Sequence, residues 1–327
     1  MTIPIRITGL GKYLPSHRVS SEELEHALGL PKNWIFRRTG VIERRYATDE
    51  TSAYMAAQAA KIALREANLS ISDIDCIMGA SAAPQQTIPC TAALVQREIG
   101  APDGKSTCLD INSTCLSFLS ALQIASLYLS HGIYKNVLIF SSELASVALN
   151  PREPESASLF GDGAAAVIVQ SSVDSAYCGA AFQTHASGAD LTRILGGGTL
   201  YPPNSPNTQP HMNLFEMNGP AIFKQATRLM GPLLDPFLKD IGWTSTDIDC
   251  VIPHQASRHA LDQLTHRLGF KREQVYSNLE TRGNCVAASI PLGLVEAYEQ
   301  NRLKRGDKTL LIGTAAGLTL GMVGLVF

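Results

Sequence analysis

The chain has 327 residues, 45% hydrophobic and 17% charged, enough apolar material for one large or two medium domains around a substantial core. A net charge of −2, from 27 Lys and Arg against 29 Asp and Glu, excludes the broad basic surface of a nucleic-acid binder, so any charged partner must meet a local patch. Seven cysteines (Cys76, Cys90, Cys108, Cys115, Cys178, Cys250 and Cys285) form no CxxC pair, which speaks against a disulfide framework or a zinc site and for a reducing compartment. The first residues show no charged start followed by a long apolar run, so a cytosolic protein is expected.

Residues 3–9 alternate like a strand and end at Gly9–Leu10–Gly11, and Ser20 with Glu23 forms a capping pattern that opens a helix. Residues 51–68 read as a long Ala-rich helix, 74–81 as a buried strand, and a second Ala-rich helix follows Pro89 and ends near Gly100. A strand over 105–111 leads into Asn112–Ser113–Thr114–Cys115, then a helix that stops at Gly132, then a strand over 136–142. From Ile111 to Tyr134 there is no Asp, Glu, Lys or Arg, but the many Ser residues make this a helix buried on all sides within a large protein rather than a lipid-facing span. A polar loop over 150–154 and Gly161–Asp162–Gly163 precede a strand over 164–170. Strands and helices alternate throughout, the pattern of an α/β protein.

From about residue 173 the pattern restarts. Ser72–Asp73–Ile74–Asp75–Cys76–Ile77 returns as Thr246–Asp247–Ile248–Asp249–Cys250–Val251, and the Cys115 helix with its following strand returns as the Cys285 helix and the strand at 308–312, at an offset near 170–174 residues. The chain therefore reads as two copies of one α/β unit, 1–172 and 173–327, with a cleft between them where polar groups converge. Cys115 is expected on the first turn of its helix, where unpaired N–H groups and the helix dipole favour a thiolate nucleophile. His254, in Val251–Ile252–Pro253–His254–Gln255–Ala256–Ser257, ends a strand and precedes a helix whose apolar stripe is Ala260, Leu261, Leu264 and Leu268. Asn284 starts the helix that is the repeat-mate of the Cys115 helix. Pseudo-symmetry then brings Cys115, His254 and Asn284 to one cleft.

Taken together, these motifs resemble the β-ketoacyl-acyl-carrier-protein synthase III family of thiolase-fold condensing enzymes. The resemblance runs nearly end to end: Gly9–Leu10–Gly11–Lys12–Tyr13–Leu14–Pro15, Trp34 with Arg38–Thr39–Gly40–Val41, Phe160–Gly161–Asp162–Gly163–Ala164, Pro253–His254–Gln255–Ala256, Gly283–Asn284 and Gly313–Thr314–Ala315–Ala316–Gly317. It implies a thiolase-like five-layered αβαβα fold from two pseudo-symmetric halves, a homodimer, and decarboxylative Claisen condensation of an acyl thioester (acyl-CoA or acyl-ACP) with malonyl-ACP or malonyl-CoA. Cys115 would carry the acyl group, and neutral His254 and the Asn284 amide would stabilise the enolate. The Cys115 and Ala316 N–H groups would hold the oxyanion, with alanine at 316 where the family has glycine. No metal or redox cofactor is implied.

Trp34 and Arg38 match positions that grip the adenine of coenzyme A. The arginine that completes this grip is replaced by Pro154, with Arg152 the nearest basic residue. A pantetheine-contacting asparagine is replaced by Pro220, and Ser257 stands for the usual asparagine after the His-Gln-Ala motif. These departures point to an unusual acyl-CoA or to an acyl-carrier-protein donor. A basic rim of Lys224, Arg258, His259, His266 and Arg267 is expected to dock an acidic carrier protein. The acyl-pocket floor is expected from the 82–88 loop, reaching across the dimer, and from residues 195–211. Three alternatives are a related acyltransferase to an alcohol or amine, which usually lacks the asparagine, a non-catalytic partner subunit of a ketosynthase pair, which typically lacks the nucleophile, and head-to-head condensation of two acyl-CoAs, which needs a carboxylate base at the cleft.

Overall fold

Side-chain alternation along the central strands decides the layering. In the computed structural model, which describes residues 2–327 except the side chain of Leu264, Val137 and Ile139 face one core while Leu138 and Phe140 face another. Ala165, Val167 and Val169 divide from Ala164, Ala166 and Ile168 in the same way. A period of two with both faces apolar is what a sheet covered on both sides requires.

The first sheet has the order Ile5–Tyr13, Gly163–Ser171, Asn136–Glu143, Cys76–Gly79, Thr107–Asp110. The second has the order Ala176–Thr184, Thr319–Val326, Lys308–Ala315, Cys250–Pro253. In each, a parallel pair (Cys76–Gly79 with Asn136–Glu143; Cys250–Pro253 with Lys308–Ala315) is followed by two antiparallel pairings. The halves thus share one topology. The extra parallel strand Thr107–Asp110 leads directly to Cys115.

Helices Ser117–Ser130 and Ser289–Glu299 lie between the sheets, in a core fed by Val167 from one sheet and Leu311 and Val323 from the other. Helices Ser52–Glu66 and Thr91–Ile99 cover the outer face of the first sheet, and Gly219–Asp240 covers the second. The layers run αβαβα. Ser20 and Glu23 cap each other reciprocally at helix Ser21–Ala27. One expectation needs correction: helix Ser117–Ser130 is not buried on all sides, since Leu127 is 44% exposed and Ser130 is exposed. Charge-free stretches can be solvated through their serines. Among the described residues, no helix is long and apolar enough to cross a membrane.

Candidate active site

Two strained turns begin the central helices. Thr114 and Val286, both β-branched, adopt left-handed backbones with φ of 51° and 48°. Among the described residues, the other non-glycine positions with positive φ are Asn33, Asn68 and Asn301, which tolerate that region. Strain of about 1–3 kcal/mol per residue persists where the surroundings over-determine it, commonly at functional sites. At both turns an asparagine carboxamide oxygen accepts the N–H two residues on, Asn112 from Thr114 at 2.8 Å and Asn284 from Val286 at 2.8 Å. Asn112 and Asn284 are therefore the repeat-mates, and Cys115 corresponds to Ala287 rather than to Cys285.

Cys115 sits on the short 3-10 turn Thr114–Leu116, just before helix Ser117–Ser130, and is half-buried. The backbone N–H groups of Cys115 itself and of Ala316 lie near enough to the sulfur to favour its charged form. Ala316 follows strand Lys308–Ala315, and its carbonyl lies 3.4 Å from the Thr114 hydroxyl. These donors favour a thiolate, as expected from the sequence, but burial and the neighbouring Glu143 outweigh them and push the thiol up to about 12. The resting nucleophile is a thiol, which corrects the expectation drawn from the helix dipole alone.

His254 follows strand Cys250–Pro253 and donates its N–H to Ile312 at 2.8 Å. The following Gln255 is fully buried, donates to Pro253 at 2.9 Å and accepts from Ser277 at 2.9 Å, which pins the chain there. Burial lowers His254 to about 4, so the imidazole is neutral. Its Nδ1 is buried with no protein partner. A purely structural histidine would carry that loss of about 1–3 kcal/mol for nothing. Gly313 lies under it: a Cβ there would come 2.6 Å from His254 Cβ and 3.2 Å from Leu116 Cδ2.

Asn284 is 6% exposed. Its N–H donates to Leu159 at 2.9 Å, and its carbonyl accepts from Gly161 at 3.1 Å. With the carboxamide oxygen taken by Val286 and Ser289, the amide NH₂ is the end offered to a ligand. The bracket 159–161 is itself anchored. Fully buried Arg44 donates to Ser158 at 2.7 Å, and Asp162 accepts from Ala47 at 2.8 Å and from Ser146. Turn Thr114–Leu116 packs on turn Val286–Ala288 and on strand Lys308–Ala315, so the structure brings Cys115, His254, Asn284 and Ala316 together.

A cleft of about 550 Å³ leads down to His254 and Gly313 past Arg38, Pro220, Ser257 and Arg267. Ser257 also caps helix Arg258–Arg267, accepting the Ala260 N–H at 3.2 Å, and Ala260 and Leu261 of the expected stripe line the cleft; the Leu264 side chain lies outside the described residues. The Arg38 guanidinium lies 5.7 Å from the Trp34 ring centroid. Pro154 opens the short helix Pro154–Ala157, and Glu155 rather than a base faces the cleft. Lys224 and His266 are exposed, and His259 stacks on Phe223 at 4.9 Å. Arg258 departs from expectation: its guanidinium is bonded to Glu280 and lies 4.6 Å over Phe36, so it is not a free cation for a partner.

Sequence reasoning passed over Glu143. It ends strand Asn136–Glu143, which packs on turn Val286–Ala288, is 3% exposed, accepts the Ala82 N–H at 2.5 Å, and has its carboxyl raised by burial to about 8. A carboxylate closing a strand that carries no other charge is the signal that could have found it.

Two sequence profiles match the chain. One, 3-oxoacyl-[acyl-carrier-protein (ACP)] synthase III, covers residues 109–188; the other, its C-terminal counterpart, covers 238–326. Beta-ketoacyl-[acyl-carrier-protein] synthase III of Natranaerobius thermophilus is 34% identical over 321 residues, 97% of each chain. The protein of the same name from Aquifex aeolicus is 37% identical over 318 residues, 97% of this chain and 98% of that one. The crystal structure of 3-oxoacyl-[acyl-carrier-protein] synthase III from Aquifex aeolicus superposes with a TM-score of 0.90, covering 99% of this chain and 100% of that chain at 36% identity.

Proposed function

The chain belongs to the β-ketoacyl-acyl-carrier-protein synthase III family, and on that premise we propose that Cys115 takes an acyl group from an acyl thioester and passes it to a malonyl thioester with loss of CO₂. One observation carries the residue assignment: Cys115 sits on a strained turn that packs against the Asn284 turn and against the strand leading to Ala316, whose carbonyl lies 3.4 Å from the Thr114 hydroxyl.

In the first half-reaction the Cys115 S–C bond forms as the donor C–S bond breaks. The thiol proton ends on the departing CoA or pantetheine thiolate. The oxyanion of that tetrahedral intermediate sits at the N–H groups of Cys115 and Ala316, already aimed at the reacting centre. In the second, the malonyl carboxylate leaves as CO₂ and its electron pair becomes an enolate. Neutral His254, through a ring N–H, and the Asn284 NH₂ stabilise that enolate, and a neutral imidazole suits the task because it keeps its N–H without placing a cation in a dry site. The carbanion attacks the acyl carbonyl, the C–S bond to Cys115 breaks, and one solvent proton restores the thiol. Carbon, charge and protons balance without a metal or redox cofactor.

The acyltransferase reading lacks support, since Asn284 is present and oriented. Head-to-head condensation gains a carboxylate in Glu143, but Glu143 does not line the cleft that leads down to His254, and its Oε1 already accepts the Ala82 N–H at 2.5 Å.

Pro220 on the cleft wall, and Pro154 where the arginine is expected with Glu155 beside it facing the cleft, support an unusual acyl-CoA or an acyl-carrier-protein donor. Kinetics with acetyl-CoA as the strongly preferred donor would defeat this. Carrier-protein docking at His259 and Arg267, which line the cleft, and at exposed Lys224, a cytosolic location, and a homodimer joined over the loop carrying Ile88 (81% exposed) complete the proposal. Light scattering that returns a monomer would remove the dimer.

A further inference from the structure

Glu296 is a buried carboxylate that the condensation does not touch. It lies on the inner helix Ser289–Glu299, is 1% exposed, and stands outside the cleft that leads to His254. Its Oε1 accepts from Arg282 Nε at 3.0 Å and from Lys12 Nζ at 3.0 Å, and its Oε2 accepts from Asn278 Nδ2 at 2.8 Å. Taking a carboxylate out of water is costly, and buried ionic groups are best attested where they fix a register rather than where they add stability.

The three partners are placed to fix one segment. Asn278 and Arg282 stand at the two ends of the short helix Leu279–Arg282, and Glu296 holds both. Two residues beyond Arg282 comes Asn284. Between them Gly283 has a φ of 66°, and a Cβ there would come 2.5 Å from the Leu159 carbonyl oxygen. The Arg282 carbonyl presses on Gly161 in the same way, since a Cβ at Gly161 would approach it to 2.2 Å. Beyond Asn284 the chain turns through Val286 into helix Ser289–Glu299, which carries Glu296 itself. Residues 283–288 are therefore a loop with both ends tied to one helix. Lys12, in the Gly9–Leu10–Gly11–Lys12 run, extends the tie to strand Ile5–Tyr13 of the other half and also bonds Glu299.

The first half has no such clamp. Counting from the paired asparagines Asn112 and Asn284, the residue equivalent to Glu296 on helix Ser117–Ser130 is Ile124, an apolar residue packed against the core between the sheets. The carboxylate is present only in the half that must aim an amide.

We infer that Glu296 is a positioning residue for Asn284: by fixing both ends of helix Leu279–Arg282 to the helix that follows, it sets where the Asn284 NH₂ stands at the enolate. The inference rests on Asn284 acting there, as proposed above.

The test is a double-mutant cycle on the full chain, with Glu296→Gln, Asn284→Ala and the pair, read as single-turnover rates of Cys115 acylation and of discharge by malonyl-carrier protein. Glutamine keeps the size of the side chain but turns one acceptor into a donor, so it cannot serve all three partners. Glu296→Gln should slow discharge by about tenfold and leave acylation within about twofold of wild type. In the Asn284→Ala background the same change should cost less than about twofold more, because the group it positions is gone. Unchanged discharge in Glu296→Gln, an equal loss of discharge in both backgrounds, or an equal loss of acylation overturns the inference, since a merely structural role would not be confined to one step or to one partner. Should Glu296→Gln not fold, Asn278→Ala removes one contact, leaves both ion pairs, and goes through the same cycle with the same outcomes. An Asn284→Ala protein that discharges as fast as wild type would overturn the role of Asn284 and this inference with it, whereas equal losses in both backgrounds overturn the inference alone.

Discussion

Replacing Gly313 by alanine should damage condensation through His254 alone. The Gly313 backbone lies outside the left-handed region, so only space is at issue. The added Cβ would stand 2.6 Å from His254 Cβ and 3.2 Å from Leu116 Cδ2. Carbon atoms settle at about 3.5–4.0 Å, so His254 Cβ must retreat by about 1 Å, whereas the Leu116 methyl can rotate aside. A Cβ cannot escape by rotamer, and the His254 N–H is bonded to Ile312 at 2.8 Å, so the strand end shifts as a piece. A misplacement of about 1 Å at a catalytic group costs about 100-fold, or about 2.7 kcal/mol of transition-state stabilisation. Overpacking should lower stability by a further 1–3 kcal/mol or so. The assay is single-turnover discharge of acylated protein by malonyl-carrier protein, compared with the preceding rate of Cys115 acylation. Discharge should fall by about 100-fold and acylation by much less. A folded Gly313→Ala protein that discharges within about threefold of wild type would refute the placement of His254 at the enolate.

Three further outcomes follow from the site. His254→Ala and Asn284→Ala should each slow condensation by about 10²–10³-fold while leaving an acyl adduct on Cys115, as intact mass would record. His254 also makes stability depend on pH: its folded pKa of about 4 lies below the usual value of 6.5, so the unfolded chain binds the proton more readily between those values. Stability from this group is intact above pH 6.5 and lost as pH falls toward 4, by about 3 kcal/mol in all, and denaturant titrations of His254→Asn should lack that component. Arg267→Glu should raise KM for the malonyl carrier protein several-fold. Arg258→Glu should chiefly cost stability, since its guanidinium already serves Glu280 and Phe36; equal KM effects of the two would remove that distinction.

The layered α/β fold was legible because both-face apolar strands such as 136–142 and 164–170 leave few other solutions. The convergence of Cys115, His254 and Asn284 was legible through the internal repeat. Its register was not. The offset of 170–174 residues matched the two helices without fixing which residue answers which, and the left-handed turns at Thr114 and Val286 fix it by pairing Asn112 with Asn284. Nothing local in Thr or Val announces a positive φ; tertiary packing imposes it. The thiol's protonation was misjudged for a similar reason, because the helix start is visible in the sequence and the desolvation of the sulfur is not. Arg258 looked free because Glu280 and Phe36 arrive from distant segments.

The most direct test of the account is intact-mass spectrometry of the protein incubated with a panel of acyl-CoAs and acyl-carrier proteins, followed by malonyl-carrier protein. The account predicts a single acyl adduct, mapped to Cys115, that disappears when the malonyl thioester is added, with a 3-oxoacyl carrier protein as product. An adduct that forms at Cys115 and persists through malonyl addition, or one that maps to another residue, would contradict it.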